Sequence, residues 1–314
     1  MHSPLTEVGE QRGRGAEEFG EQRGRGQRSR GGTVGDENAE IGARMPAADV
    51  AVDDQLVRRL LESQHPDLAR LELVEVANGW DNVMFRLDDE LVVRLPRRAA
   101  AGRLVAHEIA ALPQLAHRLP LPVPAPVRVG APDGEYPHVW AVLPWFDGAP
   151  LGSGDLDEPA AESLAGFFTA LHTAAPADAP INPFRGHFIG ENDERFCTNV
   201  DSLGARWDQL VDGGRARVIE RWRELIDVPP HAGPPVWLHG DLHTLNVLVD
   251  GGRITAIVDW GDVTSGDPAV DRALCRTRVG PTEPEGGRNP TRADAATWPR
   301  AHPGARYFAA PYHG

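Results

Sequence analysis

Lysine is absent from this sequence of 314 residues, so its 32 basic side chains are all arginine. The absence excludes Schiff-base chemistry, a lysine general base and a phosphate-loop lysine as the basis of any activity. Any cationic contact to a phosphate group must therefore come from arginine.

Cysteine and long apolar runs are also scarce. The two cysteines, Cys197 and Cys275, are too few for a disulfide framework or a cysteine metal cluster. No apolar run approaches the ~20 residues that span a bilayer, and no cationic start followed by an apolar stretch indicates a secretory signal. These absences favour a cytoplasmic protein with no membrane partner.

The charge balance is strongly acidic, with a formal net charge of −14. A nucleic-acid partner is disfavoured, because neutralising backbone phosphates needs a basic surface. An acidic surface suits a cationic small substrate, although it commonly serves solubility alone. The 41% apolar and 25% charged content is typical of a globular protein with a buried core.

The first 44 residues differ from the rest. The heptapeptide Gly-Glu-Gln-Arg-Gly-Arg-Gly occurs at Gly9–Gly15 and again at Gly20–Gly26, with few apolar residues nearby. Such a composition buries too little surface to offset its ordering entropy, so residues 1–44 are predicted to be a disordered tail. An RNA-binding adaptor is a weak alternative, because glutamates cancel the charge of the arginines. Met45 is a candidate for the natural start.

Hydrophobic periodicity predicts two lobes and an α+β fold. Residues 45–145 are predicted to form a small lobe with an antiparallel sheet, and residues 146–271 a mainly helical lobe. The first predicted helix starts at Asp53-Asp54-Gln55-Leu56, and further helices are predicted at Arg103–Leu115, Glu158–His172, Val200–Leu210 and Arg215–Ile226. The predicted strands are Leu71–Val76, Val83–Leu87, Leu91–Leu95, Val139–Leu143, Trp237–Leu238, Val247–Val249 and Ile254–Val258.

The densest chemical signal lies between His239 and Asp271. Asp241 and Asn246 stand five residues apart, and Asp259 follows 13 residues after Asn246 across a predicted hairpin. Phosphoryl transfer needs a carboxylate that orients the attacking hydroxyl and oxygen ligands that hold magnesium against the phosphates. An aspartate, an asparagine and a second aspartate supply that set.

This segment resembles the aminoglycoside phosphotransferase and choline kinase-like family, whose pattern is His-Gly-Asp-x-His-x-x-Asn followed by Asp-Trp/Phe-Gly. The stretch from Asp262 through Gly266-Asp267-Pro268 agrees with it further. The resemblance implies a protein kinase-like fold and a small-molecule kinase that uses Mg²⁺ and ATP or GTP on a small hydroxylated substrate. It implies that Asp241 is the catalytic base and that Asn246 and Asp259 bind the metal. The histidines at 239 and 243 are expected to brace the loop.

The resemblance extends into the amino-terminal lobe. Arg94 occupies the strand position where kinases place a lysine, and Glu108, 14 residues later on a helix, suits its acidic partner. Asn82 belongs to the turn expected to cover the phosphates. Trp145 lies in the hinge, whose backbone near Pro144–Phe146 is expected to meet the nucleobase. The resemblance thus implies that all four residues bind the nucleotide.

After Asp271 the sequence departs from the family pattern. Residues 272–314 are rich in Pro, Gly and Arg instead of supplying long amphipathic helices. We expect an atypical, truncated or frameshifted end that leaves the substrate wall incomplete. A catalytically impaired nucleotide-binding homologue is therefore the main alternative.

A metal-dependent hydrolase is a weaker alternative, built on His239, Asp241 and His243 as ligands. In that case the spacing to Asn246 and Asp259 would have no purpose. The substrate, the choice between ATP and GTP, and the oligomeric state stay open on sequence alone.

Overall fold

The computed structural model describes residues 47–152, 156–182, 185–186 and 189–272. The predicted tail of residues 1–44 lies outside these ranges, as does the atypical segment beyond Arg272. Within them, no helix combines the length and the hydrophobicity that crossing a membrane requires.

The amino-terminal lobe is a five-stranded antiparallel sheet flanked by two helices. The helices are α1 (Asp54–Gln64) and α2 (Ala99–Leu115). The strands are β1 (Leu73–Asn78), β2 (Asn82–Leu87), β3 (Leu91–Pro96), β4 (Arg128–Gly130) and β5 (Trp140–Pro144). They pair in the order β1-β2-β3-β5-β4.

Burial follows the sequence pattern of this lobe. The helix α1 begins where the Asp53 carboxylate accepts a hydrogen bond from the Leu56 N–H at 2.8 Å. Its leucines pack with Phe85 and Trp140 in one core. Strand β2 alternates buried and half-buried residues, whereas β3, in the middle of the sheet, is buried along nearly its whole length. Arg94 therefore projects from a buried strand.

The carboxy-terminal lobe is mainly helical. Its helices are α3 (Glu158–Leu171), α4 (Asp193–Leu203), α5 (Trp207–Leu210) and α6 (Gly214–Ile226). Its strands are β6 (Ala149–Pro150), β7 (Val236–Leu238), β8 (Val247–Asp250), β9 (Arg253–Ile257) and β10 (Thr264–Gly266). The strands form a β6-β8-β9 sheet and a separate β7-β10 pair.

Two apolar cores hold this lobe together. In the larger one, the rings of Phe167 and Trp260 meet edge to face with centroids 6.1 Å apart. In the smaller one, Phe196 of α4 stacks on Trp222 of α6 at 4.0 Å. The larger core lies under the segment that follows β9, and so supports the residues expected to bind metal.

The predicted two-lobed α+β architecture is confirmed, with one helix wrong. The helix expected over Val200–Leu210 is interrupted: α4 ends at Leu203, a 3-10 turn covers Gly204–Arg206, and α5 follows. Gly204 has φ +48°, which an α-helix does not accommodate. Three strands of two or three residues, β4, β6 and β10, were not predicted.

Candidate active site

A cleft of about 740 Å³ lies between the lobes. Five of the seven residues predicted to form the site line it: Asn82, Arg94, Trp145, Asp241 and Asp259. The other two, Glu108 and Asn246, are buried next to lining residues. The seven residues therefore gather at one cavity, although the sequence separates them by up to 177 positions.

His239 sets the course of the chain just after β7. Its Nε2–H donates to the Val258 carbonyl at 2.9 Å, while its Nδ1 accepts from the Asp241 N–H at 3.2 Å. This pairing fixes the neutral tautomer, in keeping with the burial that lowers the pKa of His239. Because both ring nitrogens are engaged, His239 cannot ligate a metal as the hydrolase alternative requires. No three His, Cys, Asp or Glu residues group as a metal site within the described part of the chain.

Gly240 and Asp271 shape the loop that carries Asp241. Gly240 has φ +87°, and a Cβ there would come within 2.1 Å of the Asp262 carbonyl oxygen. The Asp271 carboxylate accepts hydrogen bonds from the N–H groups of His239 at 2.9 Å and Gly240 at 3.0 Å. Burial works to raise the pKa of Asp271, but hydrogen bonds and the nearby imidazole of His172, 3.2 Å away, hold it below its usual value. Asp271 is thus an ionised anchor for the loop.

Asn246 ties Asp241 to the strand that leads to Asp259. Its side-chain Nδ2 donates to the backbone carbonyl oxygen of Asp241 at 2.9 Å. Its backbone carbonyl accepts a hydrogen bond from the Val258 N–H at 2.9 Å. Since Nδ2 is engaged, Oδ1 is the amide atom suited to a metal. Asp259 itself has φ +61°, a strained conformation for a residue with a side chain, of the kind that recurs at functional sites.

These donors fit magnesium. An amide oxygen and a carboxylate are hard oxygen ligands, and Mg²⁺ is held by few protein ligands while it keeps several waters. The Asp259 side chain is 57% exposed and lines the cleft, so an ion could reach it together with a phosphate. The residues present are therefore chemically compatible with the predicted metal.

Arg185 and His243 flank the Asp241 carboxylate, and Arg185 had no role predicted from the sequence. Arg185 Nη2 lies 3.4 Å from Oδ1, and His243 Nε2 lies 3.5 Å from Oδ2. Arg185 also places Nε 3.3 Å from Asp262 Oδ2, and Asp262 accepts a 2.6 Å hydrogen bond from Asn182 Nδ2. Burial raises the pKa of Asp262.

Arg94 contacts both lobes from its position on β3. Nη1 donates to Glu108 Oε2 at 2.5 Å, and Nη2 donates to Asp259 Oδ1 at 3.1 Å. With its amide oxygen turned toward the guanidinium, Asn82 accepts from Nε at 3.2 Å and from Nη2 at 3.1 Å. Burial raises the pKa of Glu108 to about 7, against the opposing charge of Arg94. Three of the four predicted nucleotide-binding residues thus form one cluster.

The turn between β1 and β2 is held by two arginines that follow β3. Arg97 Nη1 donates to Asn78 Oδ1 at 3.0 Å and to the Gly79 carbonyl at 3.1 Å, and Arg98 pairs with Asp81. This turn therefore has a defined position over the cleft without a glycine-rich sequence.

Three contacts hold Trp145 in the hinge. Its backbone N–H donates to the Glu90 carbonyl at 2.7 Å, and its indole N–H donates to Asp147 Oδ1 at 3.1 Å. The guanidinium of Arg86 lies 4.4 Å from the centre of its ring. Its backbone N–H is therefore committed within the protein.

Comparison with known proteins gives a consistent result. The profile of the phosphotransferase enzyme family matches residues 72–308. Viomycin phosphotransferase from Streptomyces vinaceus is 33% identical over 200 residues, which are 58% of this chain and 65% of that protein. The chain thus matches less than two thirds of that relative's length. The family match extends past Asp271, where the sequence pattern departs from the family.

Solved structures resemble the fold at low identity. The GDP complex of wild-type aminoglycoside 2'-phosphotransferase-IIIa has a TM-score of 0.56 at 20% identity, over 73% of this chain and 79% of that one. Macrolide 2'-phosphotransferase MphH from Brachybacterium faecium has a TM-score of 0.50 at 20% identity, over 81% and 86%. These likenesses confirm the predicted two-lobed, kinase-like fold.

Proposed function

Because the chain belongs to the phosphotransferase enzyme family, we propose that it moves the γ-phosphoryl group of ATP or GTP onto a hydroxyl of a small molecule. One observation carries this proposal. Asp241 and Asp259 line the same cleft, and Asn246 joins them through hydrogen bonds to the Asp241 carbonyl and the Val258 N–H.

Asp241 orients the acceptor hydroxyl and takes its proton. Phosphoryl transfer passes through a loose transition state, so the main contribution of the protein is to align the attacking oxygen with the phosphorus. The Asp241 carboxylate is 26% exposed, and therefore reachable by a substrate while its loop is held by Asp271.

Asn246 and Asp259 would hold magnesium, which when bound neutralises charge on the phosphate groups. Asn246 is rigid, because its side-chain Nδ2 and its backbone carbonyl are both hydrogen-bonded. Asp259 is held less firmly, because its side chain is more than half exposed and pairs with Arg94 at 3.1 Å. A phosphate entering the cleft can take over that guanidinium and leave the carboxylate for the metal.

The nucleotide would lie along the amino-terminal side of the cleft. Arg94 and Asn82 are placed to contact phosphate oxygens, with Glu108 fixing the guanidinium. Apolar side chains line the hinge side and can enclose a base: Met84, Val92, Leu143 and Leu248. Since the Trp145 N–H is bonded to Glu90, the polar edge of the base must meet other backbone groups of the hinge.

The acceptor is proposed to be an antibiotic or a related metabolite with several hydroxyl groups. Support comes from the likeness to viomycin phosphotransferase and from the net charge of −14, which favours a cationic substrate. Viomycin and the amine-bearing aminoglycosides therefore both belong in the substrate panel.

Transfer assays on the full chain test the proposal. The protein is incubated with Mg²⁺, ATP or GTP, and a panel containing viomycin, aminoglycosides and a macrolide, and phosphorylated product is measured by mass spectrometry. We expect Asp241→Asn to lower turnover by about 1,000-fold. Asp201→Asn, which removes an exposed carboxylate of α4 paired with Arg215, should leave turnover unchanged.

Two results would contradict the proposal. Turnover retained in Asp241→Asn would remove that residue from its role. Stabilisation of the fold by nucleotide, without product from any acceptor, would instead identify a nucleotide-binding homologue that lacks catalysis.

A further inference from the structure

Arg185 joins two carboxylates at the acceptor side of the cleft. Its Nη2 lies 3.4 Å from Asp241 Oδ1, and its Nε lies 3.3 Å from Asp262 Oδ2. We propose that Arg185 is a positioning residue, which fixes the carboxylate plane of Asp241 for the acceptor hydroxyl. The inference rests on the proposed phosphoryl transfer and deepens it.

The backbone that carries Arg185 is anchored on β10. The Asn182 N–H donates to Thr264 Oγ1 at 3.0 Å, and the Gly186 carbonyl accepts from the Asp267 N–H at 3.2 Å. The two backbone segments lie so close together that Gly266 cannot carry a side chain, since a Cβ there would come within 2.1 Å of the Gly186 carbonyl oxygen. The guanidinium therefore starts from a fixed position and does not reach Asp241 from a free loop.

The other end of the guanidinium is held as well. Asp262, which accepts a 2.6 Å hydrogen bond from Asn182 Nδ2, receives Arg185 Nε on its second oxygen. Both carboxylates and the guanidinium are half-buried, with side-chain exposures of 17% for Arg185, 21% for Asp262 and 26% for Asp241. Charge pairs that are shielded from water in this way are stronger than surface pairs.

The consequence concerns the orientation of Asp241. Arg185 faces Oδ1, and His243 Nε2 lies 3.5 Å from Oδ2, so the carboxylate is approached from both sides. A carboxylate without Arg185 could rotate about its Cβ–Cγ bond. Misplacing a reacting group by about 1 Å can lower turnover by about 100-fold.

A positioning role predicts a particular kinetic pattern. Arg185→Gln should lower kcat with the accepting substrate by about 100-fold, with KM for the nucleotide within about twofold. Arg185→Lys should recover only part of the loss, because an ammonium group lacks the planar fork that spans two carboxylates. Adding millimolar guanidinium to Arg185→Ala should raise kcat, which a purely structural role would not predict.

Asp262 provides the second arm of the test. Asp262→Asn should lower kcat by releasing Arg185 Nε, and its effect should be absent in the Arg185→Gln background, since both changes act through one contact. Arg215→Gln, which removes an exposed arginine from an ion pair with Asp201, is the matched control and should not change kcat.

The outcomes separate the two proposals. If the wild type makes no phosphorylated product with any acceptor, the proposed function fails, and the role of Arg185 falls with it. If the wild type turns over and Arg185→Gln keeps kcat within about twofold, only the Arg185 inference is overturned. An Arg185→Gln variant that changes only the KM for the nucleotide would likewise overturn it. So would a melting temperature so low that the variant is unfolded under the assay conditions.

Discussion

Arg94 Nη2 lies 3.1 Å from Asp259 Oδ1 and so joins a strand of one lobe to the proposed metal ligand of the other. The same guanidinium is bound through Nη1 to Glu108 at 2.5 Å. Because an arginine has five donors in a fixed plane, it can keep Glu108 while exchanging Asp259 for a phosphate. In the proposed mechanism, the contact therefore links nucleotide entry to the freedom of the Asp259 carboxylate.

Replacing Arg94 should make stability depend more strongly on pH. Arg94→Met leaves Glu108, only 2% exposed, without its cation, a change that typically costs about 3–5 kcal/mol. The pKa of Glu108 is already raised to about 7, so the folded state favours the protonated acid. The stability that protonated Glu108 contributes is fully present below its pKa in the unfolded chain, and it is lost as pH rises through its pKa in the folded protein. Urea unfolding should therefore show a larger loss at pH 8.5 than at pH 5.5.

Adding Glu108→Gln to Arg94→Met is the control for this prediction. The amide cannot ionise, so the double variant should lose the pH dependence and regain stability at pH 8.5. An equal loss of stability at both pH values in the single variant would contradict the assignment of Glu108 as the titrating group.

Removing a proposed metal ligand should change the response to Mg²⁺ more than the fold. Asp259→Asn and Asn246→Ala are each expected to raise the Mg²⁺ concentration for half-maximal nucleotide binding by 10-fold or more. Isothermal titration of a non-hydrolysable ATP analogue across Mg²⁺ concentrations measures this. Asp201→Asn, on α4, should titrate as the wild type does. An unchanged Mg²⁺ midpoint in both site variants would place the metal elsewhere.

A methyl group at Gly240 should be far more damaging than one at Gly251. Both glycines have positive φ, +87° and +53°, so alanine is strained at each. Only at Gly240 would the Cβ also meet backbone, 2.1 Å from the Asp262 carbonyl oxygen, whereas nothing lies within 4 Å at Gly251. Gly240→Ala should lose at least about 2 kcal/mol more than Gly251→Ala in urea unfolding. Equal losses would show that the loop can relax around the methyl group.

Mild acid should destabilise the fold through His172. Burial lowers the pKa of His172, so it is neutral when folded and takes up a proton when the chain unfolds. For a depressed histidine, stability is present above the unfolded pKa, about 6.5, and is lost as pH falls below it, by up to about 1.4 kcal/mol per pH unit. His172→Gln should reduce that slope between pH 6.5 and 5, as measured by urea unfolding. A slope unchanged by His172→Gln would assign acid sensitivity to other groups.

Much of the fold was predictable because local signals agree with one another. The β8–β9 hairpin was predicted from two apolar runs around Asp250-Gly251-Gly252, and the turn has the positive φ that those glycines permit. The helix α3 begins at the Asp157 cap and carries buried residues at helical spacing. In such segments one stretch of sequence contains both the pattern and its boundary.

The missed elements lack that local information. Strands of two or three residues, such as β6 and β10, are too short to show a period of two. The start of α4 at Asp193 was not predicted, and there the Asp193 carboxylate accepts a hydrogen bond from the buried Trp222 indole at 2.6 Å. Their structure depends on partners distant in the sequence.

The candidate site divides in the same way. Asp241, Asn246 and Asp259 share a short, patterned segment, so their proximity could be predicted. Arg185 could not be assigned, because its two partners are 56 and 77 residues away and nothing next to it indicates a carboxylate. Only the crossing of its segment with β10 brings it to the loop that carries Asp241.

The position of Asp271 has a practical consequence for shortening this chain. Its carboxylate receives the N–H groups of His239 and Gly240. An expression fragment cut ahead of Asp271 would leave both amides buried and unpaired, and would release the loop while every proposed metal ligand was still present. A minimal fragment intended for crystallisation or assay must therefore extend beyond this aspartate.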